Sequence, residues 1–204
     1  MMATAFLAID VQNDFCPGGA LAVADGDAVV APINTLIERY DHVILTQDWH
    51  PQGHSSFASQ HQGHDPFTMI PMPYGDQTLW PDHCIQGSHG AAFHKDLNID
   101  RAELIIRKGY RCQIDSYSAF FENDHVTTTG LAGYLKERGF DHVVMAGLAT
   151  DFCVAFSALD ARKCGFTCQV VMDASRAIDL GGTLTSMTAA MQDAGVELVE
   201  MATL

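Results

Sequence analysis

The chain predicts an α/β fold, a mostly parallel sheet of about six strands with helices on both faces. Three observations carry this expectation. Short apolar runs alternate along the chain with segments whose apolar residues fall at helical spacing, the pattern of strands joined by right-handed helical crossovers. The first run, ATAFLAID, is apolar at nearly every position, as parallel strands covered on both faces are. Run after run also ends in a charged or reactive side chain, at the edge where open α/β sheets bind their ligands. Neither an internal repeat nor a linker divides the sequence, so one domain over residues 1–204 is expected.

Residues 3–10 form the first strand and bring Asp10 to its C-terminal end. The next stretch, VQNDFCPGGALAV, is a loop punctuated by Pro17, Gly18 and Gly19. From Asp27, an N-cap candidate, Val29, Val30, Ile33, Leu36, Ile37 and Tyr40 fall at helical spacing. HVILT, residues 42–46, is the second strand and leads to Asp48. Residues 47–94 are rich in His, Pro and Gly and weakly periodic; loops of such length inside a compact domain are functional or mobile. ELIIR, residues 103–107, restarts a strand that delivers Lys108. Helices over 131–138, 151–163 and 183–194 then alternate with strands over 142–146, 167–172 and 196–200.

The stretch VVMAGLATDFCVAF, residues 143–156, organises the rest. A buried strand enters a turn at Gly147, and Asp151 or Thr150 caps a helix whose first turn carries Cys153. A thiol there meets the unpaired N–H groups and positive end of the helix, which favour thiolate over thiol. The plainer reading of Cys153 is one more small buried hydrophobe.

Composition narrows the function. A formal charge of −14 with eleven basic residues argues against nucleic acid and anionic membrane as partners. No apolar run approaches the ~18 residues of a membrane span. The N-terminal MMATAFLAID enters a strand pattern without a signal peptide's basic region and cleavage site, so a cytoplasmic protein is expected. The six cysteines, at 16, 84, 112, 153, 164 and 168, are scattered and form no CxxC pair; most read as free thiols.

Asp48 and His50 are two apart, so in an extended segment both point to one side, and His83 in WPDH closes on them from the loop. Such mixed O and N ligands suit zinc, iron(II) or manganese, with positions left open for water or substrate. His54 is either a fourth ligand or a group that orients the others. Asp10 and Lys108 form a surface ion pair worth ~0–1 kcal/mol, or else converge on Cys153, where the carboxylate takes the thiol proton and the ammonium stabilises the anions. Phe15, Trp49 and Trp80 either pack in the core or line a pocket for a flat ring.

Together AIDVQNDFCPGGALAV, TQDWHPQGHSSFAS, LWPDHCIQG, IIRKG, DSYSAFFEN and GLATDFCV resemble the nicotinamidases, also called pyrazinamidases, of the isochorismatase-like cysteine hydrolase superfamily, along essentially the whole chain. The superfamily signal is the trio Asp10, Lys108 and Cys153; the nicotinamidase signal is Asp48, His50 and His83. The resemblance implies a Rossmann-type three-layer sandwich and deamidation of nicotinamide to nicotinate and ammonia in NAD salvage, with pyrazinamide as a second substrate. It implies Asp10 as general base and acid, Lys108 as electrostatic partner and Cys153 as the nucleophile forming a thioester. The N–H groups of Ala149 and Cys153 would form the oxyanion hole, with a cis Leu148-Ala149 bond before it. Phe15 and Trp80 would sandwich the ring, and one divalent ion, zinc first, would hold its nitrogen. A homo-oligomer is left open. The rivals are a relative acting on another amide, carbamate or vinyl ether, and a non-catalytic metal or ligand binder.

Overall fold

A computed structural model describes residues 3–204. In chain order the elements are β1 (Thr4–Ile9), α1 (Val30–Arg39), β2 (Val43–Asp48), β3 (Met69–Met72), β4 (Gly75–Thr78), β5 (Leu104–Lys108), α2 (Leu131–Glu137), β6 (His142–Gly147), α3 (Ala155–Lys163), β7 (Thr167–Val171), α4 (Thr183–Asp193) and β8 (Glu197–Val199). Six of the strands make one sheet in the order β5-β2-β1-β6-β7-β8, and every neighbouring pair is parallel. The chain steps outward from β1 through β2 to β5, then returns to lay β6 on the other side of β1. That reversal between β1 and β6 is the switch point at which doubly wound sheets open a crevice.

The alternation of side chains along each strand splits the interior in two. Phe6, Ala8, Val43, Leu45, Val144 and Ala146 pack with Val30, Ile33, Leu36 and Ile37 of α1 on one face. Ala5, Leu7, Ile9, Ile44, Val143 and Met145 meet α2, α3 and α4 on the other, through Leu131, Leu135, Ala155, Ala158, Ala161 and Met191. This explains why β1 reads as a continuous apolar run: both of its faces are covered. Gly147 ends β6 at φ +138, and a Cβ there would lie 2.8 Å from the Ile9 nitrogen, so only glycine lets β6 close against the end of β1.

Three local expectations are corrected. The helix expected from Asp27 begins at Val30; Asp27 lies in a tight turn, Gly26–Val29, and no side chain caps α1. The helix expected over 151–163 opens with a wide π-turn, Thr150–Val154, in which the Val154 N–H reaches the Ala149 carbonyl at 3.1 Å. Residues 47–94 hold an antiparallel hairpin, β3 with β4, whose Met69 and Pro71 face solvent. Among the described residues no helix is long and apolar enough to cross a membrane.

Candidate active site

Register brings the strand ends together before any side chain is considered. Asp48 of β2 pairs with Lys108 of β5, and Ile9 of β1 pairs with Gly147 of β6. Asp10 therefore leaves the sheet beside the turn that carries Cys153. Gln12 holds the end of β2: it accepts the Asp48 N–H at 2.7 Å and donates to the Asp48 carbonyl at 2.8 Å.

Lys108 is the centre of the site and is only 1% exposed. Its Nζ lies 2.8 Å from Asp10 Oδ2, 3.0 Å from Asp48 Oδ1, 3.1 Å from the Ser116 carbonyl and 3.3 Å from Cys153 Sγ. An ammonium has three protons, so these four neighbours share them, and Asp10 Oδ2 is the nearest. Burial works against the Lys108 ammonium, but Asp10 and Asp48 outweigh it and raise its pKa well above the ordinary range. The surface ion pair entertained for Asp10 and Lys108 is thus excluded: both are buried.

The Cys153 thiol departs from expectation. Burial pushes it well above the ordinary thiol range; Lys108 opposes this, while Asp10 and Asp48 add to it. Loss of water is the largest influence on this thiol and opposes the thiolate that the helix start is expected to favour. Burial also raises the Asp10 carboxyl, against the pull of Lys108. Asp151 does not cap the Cys153 helix; its carboxylate turns away to accept the Ile178 and Asp179 N–H groups at 3.0 and 2.9 Å, and the Thr183 hydroxyl. The Leu148-Ala149 peptide is cis. Among the described residues, neither the Ala149 nor the Cys153 N–H reaches an acceptor outside its own turn.

Asp48, His50 and His83 also meet, all buried. His50 Nδ1 faces the Gly109 carbonyl at 2.9 Å and His83 Nδ1 faces the Pro81 carbonyl at 2.8 Å, so each Nδ1 carries the proton. Each Nε2 then aims a lone pair at Asp48 Oδ2, at 2.9 and 3.2 Å. With each Nδ1 donating to a carbonyl, the neutral imidazoles turn their Nε2 lone pairs to the same point as Asp48 Oδ2, and this donor set fits a divalent ion. His54 is spoken for: Nε2 faces the Arg111 and Ile114 carbonyls at 2.9 and 3.1 Å, and Nδ1 accepts the Ser56 N–H at 3.2 Å. It packs on the His50 ring, with centroids 4.4 Å apart. A second grouping, His50 with His54 and Asp115, has its other donors similarly committed, since Asp115 accepts from Ser116 and Gln77.

Beside Cys153 and His83 a pocket encloses about 330 Å³ of empty space, counting its mouth. Phe15 and Trp80 line it, with Leu21, Tyr117, Phe152 and Ile178. The Trp80 ring stands edge-on to Phe152 at 4.9 Å, and its Nε1–H donates to the Tyr117 hydroxyl at 3.2 Å. Trp49 is not part of the lining; the Arg107 guanidinium lies over its ring at 4.0 Å. Thr46, Gln12, Asp115, Tyr117 and Phe152 carried no role in the sequence reading. For Gln12 the signal available was a polar residue just after a buried strand, and for Thr46 a polar residue inside one; for Tyr117 and Phe152 it was an aromatic within a motif.

The family model described as isochorismatase domain matches residues 4–203. The chain is 52% identical over 195 residues to the nicotinamidase of Acinetobacter baylyi, covering 96% of this chain and 91% of that one. Its structure is similar to that of a nicotinamidase/pyrazinamidase from Acinetobacter baumanii, with TM-score 0.97 and 56% identity, over 98% of this chain and 97% of the other. It is similar to PnC1 from L. infantum in complex with nicotinate, TM-score 0.86 and 40% identity, over 98% and 94% of the two chains. It is also similar to a pyrazinamidase of Pyrococcus horikoshii in complex with zinc, TM-score 0.79 and 32% identity, over 98% and 99%. With a family match running from residue 4 to residue 203 over this parallel sheet, the chain belongs to the isochorismatase family.

Proposed function

We infer that the chain is a nicotinamidase, which hydrolyses nicotinamide to nicotinate and ammonia through a thioester on Cys153. The observation that carries this reading is one buried ammonium, Lys108, touching Asp10, Asp48 and Cys153 beside a pocket walled by aromatic rings. Nicotinamidase relatives and the nicotinate complex of PnC1 support the substrate. Pyrazinamide, a flat ring amide of the same size, suits the same pocket.

The chemistry follows from what each group can do. An amide carbon is a poor electrophile, so Cys153 attacks as its proton passes to Asp10. The carbonyl oxygen gains the charge and meets the Ala149 and Cys153 N–H groups, each such donor worth about 3–4 kcal/mol in the transition state. The intermediate collapses by breaking the C–N bond, and Asp10 returns its proton to the nitrogen, which leaves as ammonia. Water then attacks the thioester while Asp10 takes its proton. The C–S bond breaks, the proton on Asp10 returns to sulfur, and the carboxylic acid formed loses the second water proton to solvent as nicotinate departs. Phe15 and Trp80 hold the ring, and Lys108 stays charged throughout, balancing whichever of Asp10 and Cys153 is the anion. Asp48, His50 and His83 would hold a divalent ion, which when bound would supply a Lewis acid for the ring nitrogen. Zinc is our assignment, supported by the zinc complex of the Pyrococcus horikoshii relative.

Cys153→Ala tests the reading. Ammonia release from nicotinamide should fall to background while the melting temperature stays within a few degrees of wild type; substantial turnover by that variant overturns it. Carbamoyl compounds and isochorismate, assayed beside nicotinamide, separate the nearest rivals, in which Asp48, His50 and His83 have no task.

A further inference from the structure

Thr46 lies within β2 and is fully buried. Both hydrogen bonds of its hydroxyl go to one residue. The oxygen accepts the Asp10 N–H at 3.1 Å, and its proton is donated to Asp10 Oδ1 at 2.6 Å. Asp10 stands at φ +47, in the left-handed region that non-glycine residues seldom occupy, so this clamp fixes a backbone turn and a carboxylate at once.

The two carboxylate oxygens are therefore unequal. Oδ1 is engaged by Thr46, whereas Oδ2 lies 2.8 Å from the Lys108 ammonium, whose Nζ is also 3.3 Å from Cys153 Sγ. Resting on the amidase reading above, we propose that Thr46 is a positioning residue for proton transfer: by holding Oδ1 it presents Oδ2 to the Cys153 thiol. The proton leaves Sγ for Oδ2 as the C–S bond forms, and passes from Oδ2 to nitrogen as the C–N bond breaks. Thr46 itself touches neither substrate nor sulfur. Without its hydroxyl the carboxylate is free to turn, and the oxygen facing sulfur is no longer fixed.

The test compares Thr46→Ser, Thr46→Ala and Thr46→Val in steady-state nicotinamide hydrolysis, with Cys153→Ala as blank. A hydrogen bond to a charged group is worth roughly ten- to hundredfold, so Ala and Val should lose about that much in kcat, with KM within about twofold. Ser, which keeps the oxygen, should stay within about threefold of wild type. Equal losses in Ser and Ala, or a rise in KM with kcat unchanged, would overturn the proposal, because packing alone would then explain the site. If Val fails to fold, Ser and Ala, which differ by one oxygen, decide alone. Alkylation of Cys153 by iodoacetamide needs removal of the same proton but no nicotinamide. There too Ser should match wild type and Ala react about tenfold more slowly. A wild-type protein releasing no ammonia would sink the amidase reading, and the alkylation order would still judge Thr46.

Discussion

Replacing Lys108 by Met keeps most of the stem volume and removes the one cation among Asp10, Asp48 and Cys153. The ammonium is 1% exposed and lies 2.8 Å from one buried carboxylate and 3.0 Å from another. Deleting one partner of such a cluster leaves uncompensated buried charge, which costs about 3–5 kcal/mol. For a chain of this size that is roughly 2–4 °C per kcal/mol, a fall of roughly 6–20 °C in melting temperature. The penalty should also depend on pH. Burial already raises the Asp10 carboxyl, with Lys108 holding it down, and without the ammonium it rises further. A carboxyl raised in the folded chain leaves stability intact below its unfolded pKa of about 3.9, and stability is lost as pH climbs through the folded value. The gap between wild type and Lys108→Met should therefore be widest near pH 8 and narrow toward pH 4. Thermal melts of both proteins across that range, with a chelator present, measure it. A gap under about 2 °C at pH 8, or one that does not change with pH, would refute the claim that Lys108 compensates buried carboxylates.

Two further outcomes are expected. Gly109 stands at φ +65, and a Cβ there would strike the His50 ring and lie 3.2 Å from Asp48 Oδ1, so Gly109→Ala should weaken zinc retention at least tenfold in equilibrium dialysis. Unchanged affinity would mean that the ring can shift without leaving the ion. Because burial raises the Cys153 thiol, its alkylation should keep accelerating as pH rises past neutrality, up to the limit of stability. A plateau below pH 7 would show instead a resting thiolate.

Strand ends were legible in the sequence because a short apolar run followed by a charged residue is a local pattern, and parallel pairing then aligns one end with the next. Asp10, Asp48, Lys108 and Cys153 reached the site that way. What the sequence left open depended on contacts between distant segments. Asp151 is spaced like a helix cap, yet its carboxylate finds three donors near residues 178–183, some thirty positions on. Trp49 sits between two metal-ligand candidates, but strand alternation sends it to the other side, under Arg107. The role of His54 became decidable only once the Arg111 and Ile114 carbonyls were seen against its ring. The hairpin at 69–78 escaped notice because it lies on the surface, where apolar alternation carries little packing information.

The state of Cys153 turns on charge placement. A preformed thiolate would put a second anion beside Asp10 at a buried position, and burial with two nearby carboxylates disfavours that. With sulfur protonated and Asp10 ionised, passing the proton from one to the other creates no new charge; it moves an existing one a short way. Lys108 contacts both positions, at 2.8 Å from Asp10 Oδ2 and 3.3 Å from Sγ, so it holds the anion before and after the transfer. Asp48 and the Ser116 carbonyl fix the ammonium from the remaining directions, so it need not move when the charge does. In the proposed mechanism, attack on the amide then carries the charge onward to the carbonyl oxygen, for which the Ala149 and Cys153 N–H groups, without acceptors outside their turn, are the proposed donors. A thiol with a raised pKa is compatible with the proposed mechanism, because the Lys108 ammonium lies against both the sulfur and the carboxylate that would take its proton.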